Sequence, residues 1–397
     1  MVHNPADVPA QAWDALLLAQ PEGGISGPFM RHAYLNALHA SQSACPETGW
    51  TPCWITLWQG ETLVAACPLY EKTHSYGEYV FDWAWARAYE DHGLNYYPKG
   101  LVAVPFTPVV GPRLLALTSD AREALVKALL ELAQQREWSS VHVLFAQELD
   151  GTHSSETPQL MQRQTVQFHW RNHNPESGQG WNSFDDFLGS LTQEKRKKIR
   201  QERRKVREAG ISFEALRGRD ISTTHWQFFY RCYVQTYFEH GNPPYLQAAF
   251  FERMQIELAD YWLLLLARNA QGEPIACSLL ALSDTRPSPA KAFGRYWGSL
   301  QHVDCLHFEA CYYQAIEWCL THGVQVFEGG AQGEHKMARA LLPVSTYSGH
   351  WLSHPAFNQA VERYLEREAE GMQAYLAHLE TRNPLKPTQT NGSPQRV

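Results

Sequence analysis

The 397-residue chain lacks most of the patterns that make a function easy to assign. Its eight cysteines show no CxxC pair and no Cys/His metal spacing, and no H-E-x-x-H run occurs; no metal is expected. The same scatter excludes a dense disulfide framework and predicts reduced, mostly buried small hydrophobes. Cys311 and Cys319 carry no nucleophile signature. The longest apolar run, WLLLLA at 262–267, falls far below the roughly 20 residues that span a bilayer. The opening MVHNPADVPAQAWDALLLAQ has no basic segment ahead of an apolar core, unlike a signal peptide. The expectation is a cytoplasmic protein with no integral membrane segment. Walker A and dinucleotide fingerprints are missing too.

Aromatics are abundant, with 14 Trp, 18 Tyr and 17 Phe, which argues for packed domains and against disorder. The net charge is −7, yet QEKRKKIRQERRKVREAG at 193–210 holds nine basic and three acidic residues. A chain that binds DNA nonspecifically carries a basic domain, whereas this one has a basic island, so DNA is not an expected partner.

Two segments echo each other. CWITLWQGETLVAACPLY (53–70) and YWLLLLARNAQGEPIACSLLAL (261–282) each read as strand, turn and strand, with Ala-Cys near the middle of the second strand. After the first come the aromatic stretch 77–100, read as a strand, a helix at 119–138 with Ser119 or Asp120 as its N-cap, and the strand SVHVLFA. After the second come KAFGRYWGS, a helix at 307–323 and the strand VQVFEGG. The matched order predicts a duplication: two similar α/β units rather than one large sheet. The expected division is an N-terminal unit at 1–176, a second unit at 177–354 opening with the basic helix, a C-terminal helix at 355–380 and a disordered tail at 381–397.

At 100° per residue, Phe184, Leu188, Leu191, Ile199 and Val206 share one seam, which predicts a single helix from about Asp185. Arg196, Arg200, Arg203 and Arg207 form a ridge beside it. Glu194 and Glu202 lie four residues from Lys198, and Glu208 lies four from Arg204, so no acid of the helix pairs with the ridge. Four arginines without local partners call for carboxylates from elsewhere in the fold or for an external anion, phosphate above all. A plainly solvated face is the alternative.

In FEGGAQGEHKMARALLP (327–343) a Gly-rich turn follows a strand, where backbone amides could cradle an anion. Tyr79, Phe81, Trp83 and Trp85 alternate, which on a strand places them on one face, either as core or as a platform for a base, a sugar ring or an acyl chain. His307 and Glu309 stand at a helix start, as a cap or as a polar pair facing a cleft.

PFTPVVGPRLL, QFHWRN, FDDFLGSLTQEKRKKIRQERR, GRYWGS, LHFEACYYQAIE and FEGGAQGEHK together resemble the FemAB-like predicted N-acyltransferases of peptidoglycan biosynthesis or recognition, from about residue 30 to about residue 370. The resemblance implies an α/β (α+β) fold of two tandem GNAT-like domains, with mixed sheets flanked by helices. It also implies transfer of an aminoacyl or acyl group to an amine of a small molecule or peptide, with a peptidoglycan precursor as acceptor and aminoacyl-tRNA as donor. The acyl-CoA pyrophosphate loop of ordinary GNAT enzymes is not recognisable in this chain, and the long helical arm of some Fem proteins is missing.

Attack of an amine on an ester or thioester needs a proton acceptor, an oxyanion stabiliser and positioning. The second unit supplies candidates. His335 is the first choice of base, followed by His307 and Glu309. Arg295, Tyr296, Gln332, Gly333 and Lys336, with the backbone amides of Gly329 to Gly333, are candidates for holding phosphate or oxyanion. The arginine ridge would clasp phosphates, and Trp83 and Trp85 are candidates for stacking. No tightly bound cofactor is expected, only an acyl donor, aminoacyl-tRNA or acyl-CoA. Two other readings are an acyl-CoA-dependent N-acetyltransferase of a small amine and a non-catalytic module recognising cell-wall fragments or RNA.

Overall fold

The computed structural model describes residues 1–21, 23, 25–147, 149, 159–284, 289–330 and 333–386. The first half runs α1 (Ala10–Leu18), α2 (His32–Ala40), β1 (Trp50–Pro52), β2 (Ile55–Gln59), β3 (Thr62–Cys67), β4 (Leu69–Lys72), α3 (Trp83–Asp91), β5 (Lys99–Val102), β6 (Leu115–Ala116), α4 (Ser119–Gln135), β7 (Ser140–Val143) and β8 (Met161–Arg171). The second runs α5 (Phe184–Ser190), α6 (Gln193–Glu208), β9 (Ser212–Arg217), α7 (Thr223–Glu239), α8 (Ala248–Glu257), β10 (Trp262–Arg268), β11 (Pro274–Leu282) and β12 (Lys291–Ser299). It continues with α9 (Leu306–Phe308), a π-helical turn (Glu309–Tyr313), α10 (Gln314–Thr321), β13 (Val326–Glu328), β14 (Leu342–Leu352) and α11 (Pro355–Glu380).

Eleven strands form one sheet in the order β1-β4-β5-β7-β14-β8-β13-β12-β11-β10-β9. The two halves were expected to keep separate sheets; instead they exchange strands. β8, from the end of the first half, pairs with β13, and β14, from the end of the second, pairs with β7. β8 and β14 pair with each other from Leu342↔His169 to His350↔Met161. Thr165 and Thr346 share a 2.7 Å hydroxyl hydrogen bond at the middle of that ladder, so the halves meet about a pseudo-twofold axis there. On either side stands a parallel pair, β5 with β7 and β12 with β13. A boundary near residue 176 therefore divides the chain but not the sheet. The main apolar cluster also crosses that line: Phe29 packs edge-on against Phe293 and Tyr34 against Phe250, with ring centroids 5.3 and 5.2 Å apart.

The hairpin echo is inexact at one residue. In Ala66-Cys67-Pro68-Leu69 the proline stands where Ser278 follows Ala276-Cys277. Proline cannot donate to a ladder, and the first copy breaks there. β2 and β3 leave to form a three-stranded sheet with β6, while β4 stays in the large sheet. β11 runs unbroken through Ser278.

Four sequence expectations change. Residues 83–91 are helical: Trp85 and Tyr89, four apart, face the core against Leu352, Val361 and Leu365, so helical spacing overrides the alternation. The N-cap of α4 is Thr118, whose hydroxyl accepts from the Ala121 amide at 3.1 Å. The basic segment is not one helix from Asp185, because α5 ends at Ser190 and α6 begins at Gln193. Between them Leu191 pairs with Leu385, Thr192 N–H donates to Pro384 O (2.8 Å) and Lys386 N–H to Ser190 O (2.9 Å). Residues 381–386, expected to be disordered, are thus tied down; residues 387–397 lie outside the described part. Among the described residues no helix is long and apolar enough to cross a membrane, and all eight cysteines are free.

Candidate functional site

Two hollows flank the short helix at 306–321. The larger is a groove of about 1330 Å³ walled by α6, with Phe184, Phe213, Glu309 and Glu317 opposite, and all four ridge arginines line it. The smaller is a cavity of about 270 Å³ between β12 and the turn after β13, with Tyr79 and Pro108 contributed by the first half. Glu309 and Gln314 face the groove, whereas His307, Cys311 and Tyr312 face the cavity. The π-helical turn supplies both walls, and such turns recur at functional sites.

Arg203 is paired. Its Nε donates to both Glu309 carboxylate oxygens (3.1 and 3.3 Å), its Nη2 donates to Glu317 (2.6 Å), and its guanidinium lies over the Phe184 ring at 4.4 Å. Glu309 also accepts from Gln314 Nε2 at 2.8 Å. Buried and twice engaged, this carboxylate anchors α6 to the helix at 306–321; it does not stand free as a base. Glu202, expected beside Lys198, is instead buried against Arg339 (2.9 Å) and the Tyr313 hydroxyl. Lys205 pairs with Asp304 at 3.5 Å. Arg196, Arg200 and Arg207 make no ion pair among the described residues and remain on the groove wall.

Arg203→Ala is therefore expected to cost about 2 kcal/mol, because it strands the buried Glu309, whereas Arg200→Ala should change stability by less than about 0.5 kcal/mol. Thermal unfolding of the two variants checks this; equal melting temperatures would place Arg203 with its exposed neighbours.

The cavity arises from a failure of symmetry. In the first half Leu69 and Tyr70 face Val102 and Leu101 in succession. Their counterparts Leu279 and Leu280 face Tyr296 and Gly294, skipping Arg295. This bulge reorients β12 just beyond the point where its pairing with β13 ends, at Phe293↔Glu328. Past that point the parallel strands part, and Gly330, at φ 80°, turns the chain over Gly294. A Cβ on Gly330 would meet the Gly294 carbonyl at an ordinary contact distance of 3.4 Å, so it is the left-handed conformation that favours glycine. In the first half the same wedge is filled. Buried Arg113 donates from Nε to Leu144 O (3.0 Å) and from Nη2 to Val109 O, and Gly111 bridges to Ala146.

Around the cavity His307 packs edge-on against Trp297 and Tyr312, at 5.4 and 5.7 Å. Burial, and then His335, Arg339 and Lys336, push it down to about 4, so it is neutral at neutral pH. His335 is exposed and reaches the cavity only through a 3.2 Å hydrogen bond between its Nε2 and the Tyr312 hydroxyl; burial and the nearby Lys336 and Arg339 hold it below its ordinary value. Lys336 lies behind the turn and donates to Gly330 O at 3.0 Å, with burial pushing it down to about 8. Its ammonium faces backbone rather than the open space. Arg295 and Tyr296 line the cavity. Gly333 lies next to the His335 ring, away from both hollows, and Gln332 falls outside the described residues.

The tryptophan platform is not there. Trp85 is buried beneath the Arg163 guanidinium (5.4 Å) and edge-on to His350 (5.0 Å). Trp83 is exposed beside Tyr76, and neither ring lines the groove or the cavity. Of the aromatic row only Tyr79 lines the cavity, and sequence reasoning passed over Ser278, Tyr237 and Tyr312 as site residues, which line it too; the Pro68/Ser278 mismatch in the echo was the available signal. Among the described residues no group of three His, Cys, Asp or Glu could hold a metal ion.

A duplicated α/β fold, a parallel strand pair that splits around a cavity and a cation-lined groove beside it are the features that position the site. The chain belongs to the FemAB-like family, described as peptidoglycan biosynthesis/recognition, which it matches over residues 4–387. Among solved structures it is similar to FemX, at 11% identity and TM-score 0.51, with 89% of this chain and 98% of that one covered. It is similar to L-PGS from Bacillus licheniformis, at 11% identity and TM-score 0.50 over 90% of this chain and 97% of that one. A tandem GNAT protein from the clavulanic acid biosynthesis pathway follows, at 13% identity and TM-score 0.43 over 89% and 98%. No curated protein matches.

Proposed function

We propose that this protein transfers an acyl or aminoacyl group to an amine of a peptidoglycan-type precursor, with the donor's phosphates in the α6 groove and the reacting centre in the β12–β13 cavity. The observation that carries the reading is three guanidiniums without ionic partners among the described residues, Arg196, Arg200 and Arg207, on a groove that shares its helical wall with the cavity. Charged-residue grooves of this kind suit phosphodiesters, and three such contacts predict a log–log salt slope of about −2 to −3. We favour tRNA as the donor carrier over free nucleotide, since the groove is open and several times larger than the cavity. A charge-reversal triple variant, Arg196→Glu with Arg200→Glu and Arg207→Glu, should abolish tRNA retention in a filter-binding assay while folding normally. Undiminished retention by the variant would remove the groove as the tRNA site, and a parent that retains no tRNA but shows a thermal shift with CoA would favour the acyl-CoA donor.

Neutral His307 lines the cavity and is the better-placed proton acceptor for the attacking amine, with His335 acting through the Tyr312 hydroxyl. His307→Ala is expected to lower turnover by about 100-fold, and His335→Ala by only a few-fold. Reversal of that order in single-turnover assays would restore His335 as the base.

A further inference from the structure

Arg295 is the bulge residue of β12 and has no counterpart in the first half. Among the residues that line the cavity it is the one with a permanent charge. Among the described residues no Asp or Glu lies on the cavity wall and no carboxylate pairs with Arg295. Its guanidinium is held between the rings of Phe29 and Tyr296, at 5.4 and 5.2 Å. Its Nη2 donates to Phe106 O at 3.0 Å, whereas among the described residues its buried Nε has no well-formed hydrogen bond, and the buried Tyr296 hydroxyl has only loose contacts with this guanidinium and with Tyr34. Buried charges in proteins are paired, and orphaned buried donors are costly; a guanidinium fixed by two rings beside an empty space is the exception that a ligand would resolve.

We propose that Arg295 and the Tyr296 hydroxyl seat a single carboxylate carried by the substrate fragment that occupies the cavity. The charge count selects the class. One guanidinium among neutral walls balances a monoanion, while a phosphate dianion would bring a surplus charge into a buried space. An ammonium would meet the guanidinium with no acid to offset it, so the carboxylate enters deepest and any amine on the same fragment points towards the mouth. About 270 Å³ is at the small end of ligand cavities, the size of an amino-acid-like fragment. The proposal deepens the acyltransferase reading by naming the acceptor as an amine that bears a carboxylate.

The test is calorimetric titration of the full chain with N-acetylalanine, N-acetylalaninamide and inorganic phosphate at matched ionic strength. The acid should bind at least about 10-fold more tightly than the amide, as expected for loss of a charge-assisted hydrogen bond, and phosphate binding should be lost with the groove charge reversals Arg196→Glu, Arg200→Glu and Arg207→Glu while acid binding stays. Arg295→Met should erase the preference, and the groove variant Arg200→Ala should keep it. If Arg295→Met does not fold, Tyr296→Phe retains the ring and should weaken the acid several-fold. Equal binding of acid and amide, phosphate binding that survives the groove substitutions and is lost in Arg295→Met, or an unchanged preference in either cavity variant would each overturn the proposal. Binding is read without turnover, so acid binding in a protein that transfers no acyl group would count against the proposed function and leave this seat standing.

Discussion

Lys99→Met should cost about 3–5 kcal/mol, the range for removing one partner of a buried ion pair, and lower the melting temperature by roughly 4–6 °C. The Lys99 side chain is fully buried on β5. Its Nζ donates to Glu78 Oε2 and Ser75 Oγ, each at 2.8 Å, and to Asp82 Oδ2. Both carboxylates already have their second oxygen buried without a partner. Burial drives Glu78 up to about 7 even with Lys99 beside it. At Asp82 burial acts in the same direction, but Lys99 and His142 outweigh it and hold the carboxyl well below the usual range. Lys72, also buried and pushed down by burial to about 7, lies over the Trp50 ring at 3.8 Å and is a poor substitute for Lys99. The triple variant Lys99→Met, Glu78→Gln, Asp82→Asn should regain most of the loss, because neutral replacement of a whole buried set is far cheaper than stranding half of it. Calorimetric melting of the single and triple variants decides the matter; a single variant as stable as the parent would mean the carboxylates are simply protonated.

The same variant bears on the site. Glu78 and Asp82 bracket Tyr79, which holds a left-handed φ of 62° and reaches from the first half into the cavity wall. A β-unbranched aromatic in that conformation persists when its surroundings over-determine it, and the Lys99 cluster supplies that restraint on both sides. The polar core of one half thus positions a wall of the other half's cavity.

Much of this was legible in the residues. The helices at 119–135, 193–208 and 355–380 and the strands at 140–143, 291–299 and 326–328 follow apolar periodicity and turn chemistry that local sequence controls. The basic segment's partnerships were half legible. Spacing alone shows that no acid of α6 can reach Arg203, but Glu309 and Glu317, more than a hundred residues away, are supplied by tertiary packing. Residues 79–85 were misread because Tyr, Phe, Trp and Trp at alternate positions satisfy a strand pattern, while the deciding contact, Trp85 and Tyr89 against α11, is non-local. Strand exchange between the halves leaves no trace in either β8 or β14 taken alone, since each reads as an ordinary strand whichever neighbour it meets. The cavity was the hardest to foresee, because it comes from a one-residue register slip. Only the contrast between Pro68 and Ser278 hinted that the second copy had a different geometry.

Acid should unfold this protein steeply. His142 and His350 share a 2.8 Å hydrogen bond between their Nδ1 atoms across β7 and β14, and each is otherwise engaged: His142 with Ser140 and Tyr96, His350 with Ser348. Burial is the first cause that holds His142 down to about 3 and His350 well below its ordinary value; Lys99 and Arg163 add to it, and Asp82, 3.8 Å from His142, is too committed to Lys99 to reverse it. His169 is held down to about 3 by burial and then by Lys291, Arg171 and Lys336. In the unfolded chain all three take up a proton near pH 6.5. Between about pH 6.5 and 3 the unfolded state therefore binds more protons than the native one, and stability, complete above that window, is lost as pH falls through it. Three such groups give a slope of up to about 4 kcal/mol per pH unit once the unfolded imidazoles are fully protonated. Glu78 works the other way, since its native value of about 7 makes the folded chain bind the extra proton above its unfolded value; that offsets about one histidine and leaves the net sign unchanged. Chemical denaturation at pH 7.5, 6.0 and 5.0 should show unfolding free energy falling at each step, with the His142→Asn, His350→Gln double variant less stable at pH 7.5 but flatter towards acid. A parent curve level from pH 7.5 to 5.0 would mean that the buried imidazoles are charged in the fold, and that the hydrogen bond across the exchanged strands joins a cation to a neutral ring.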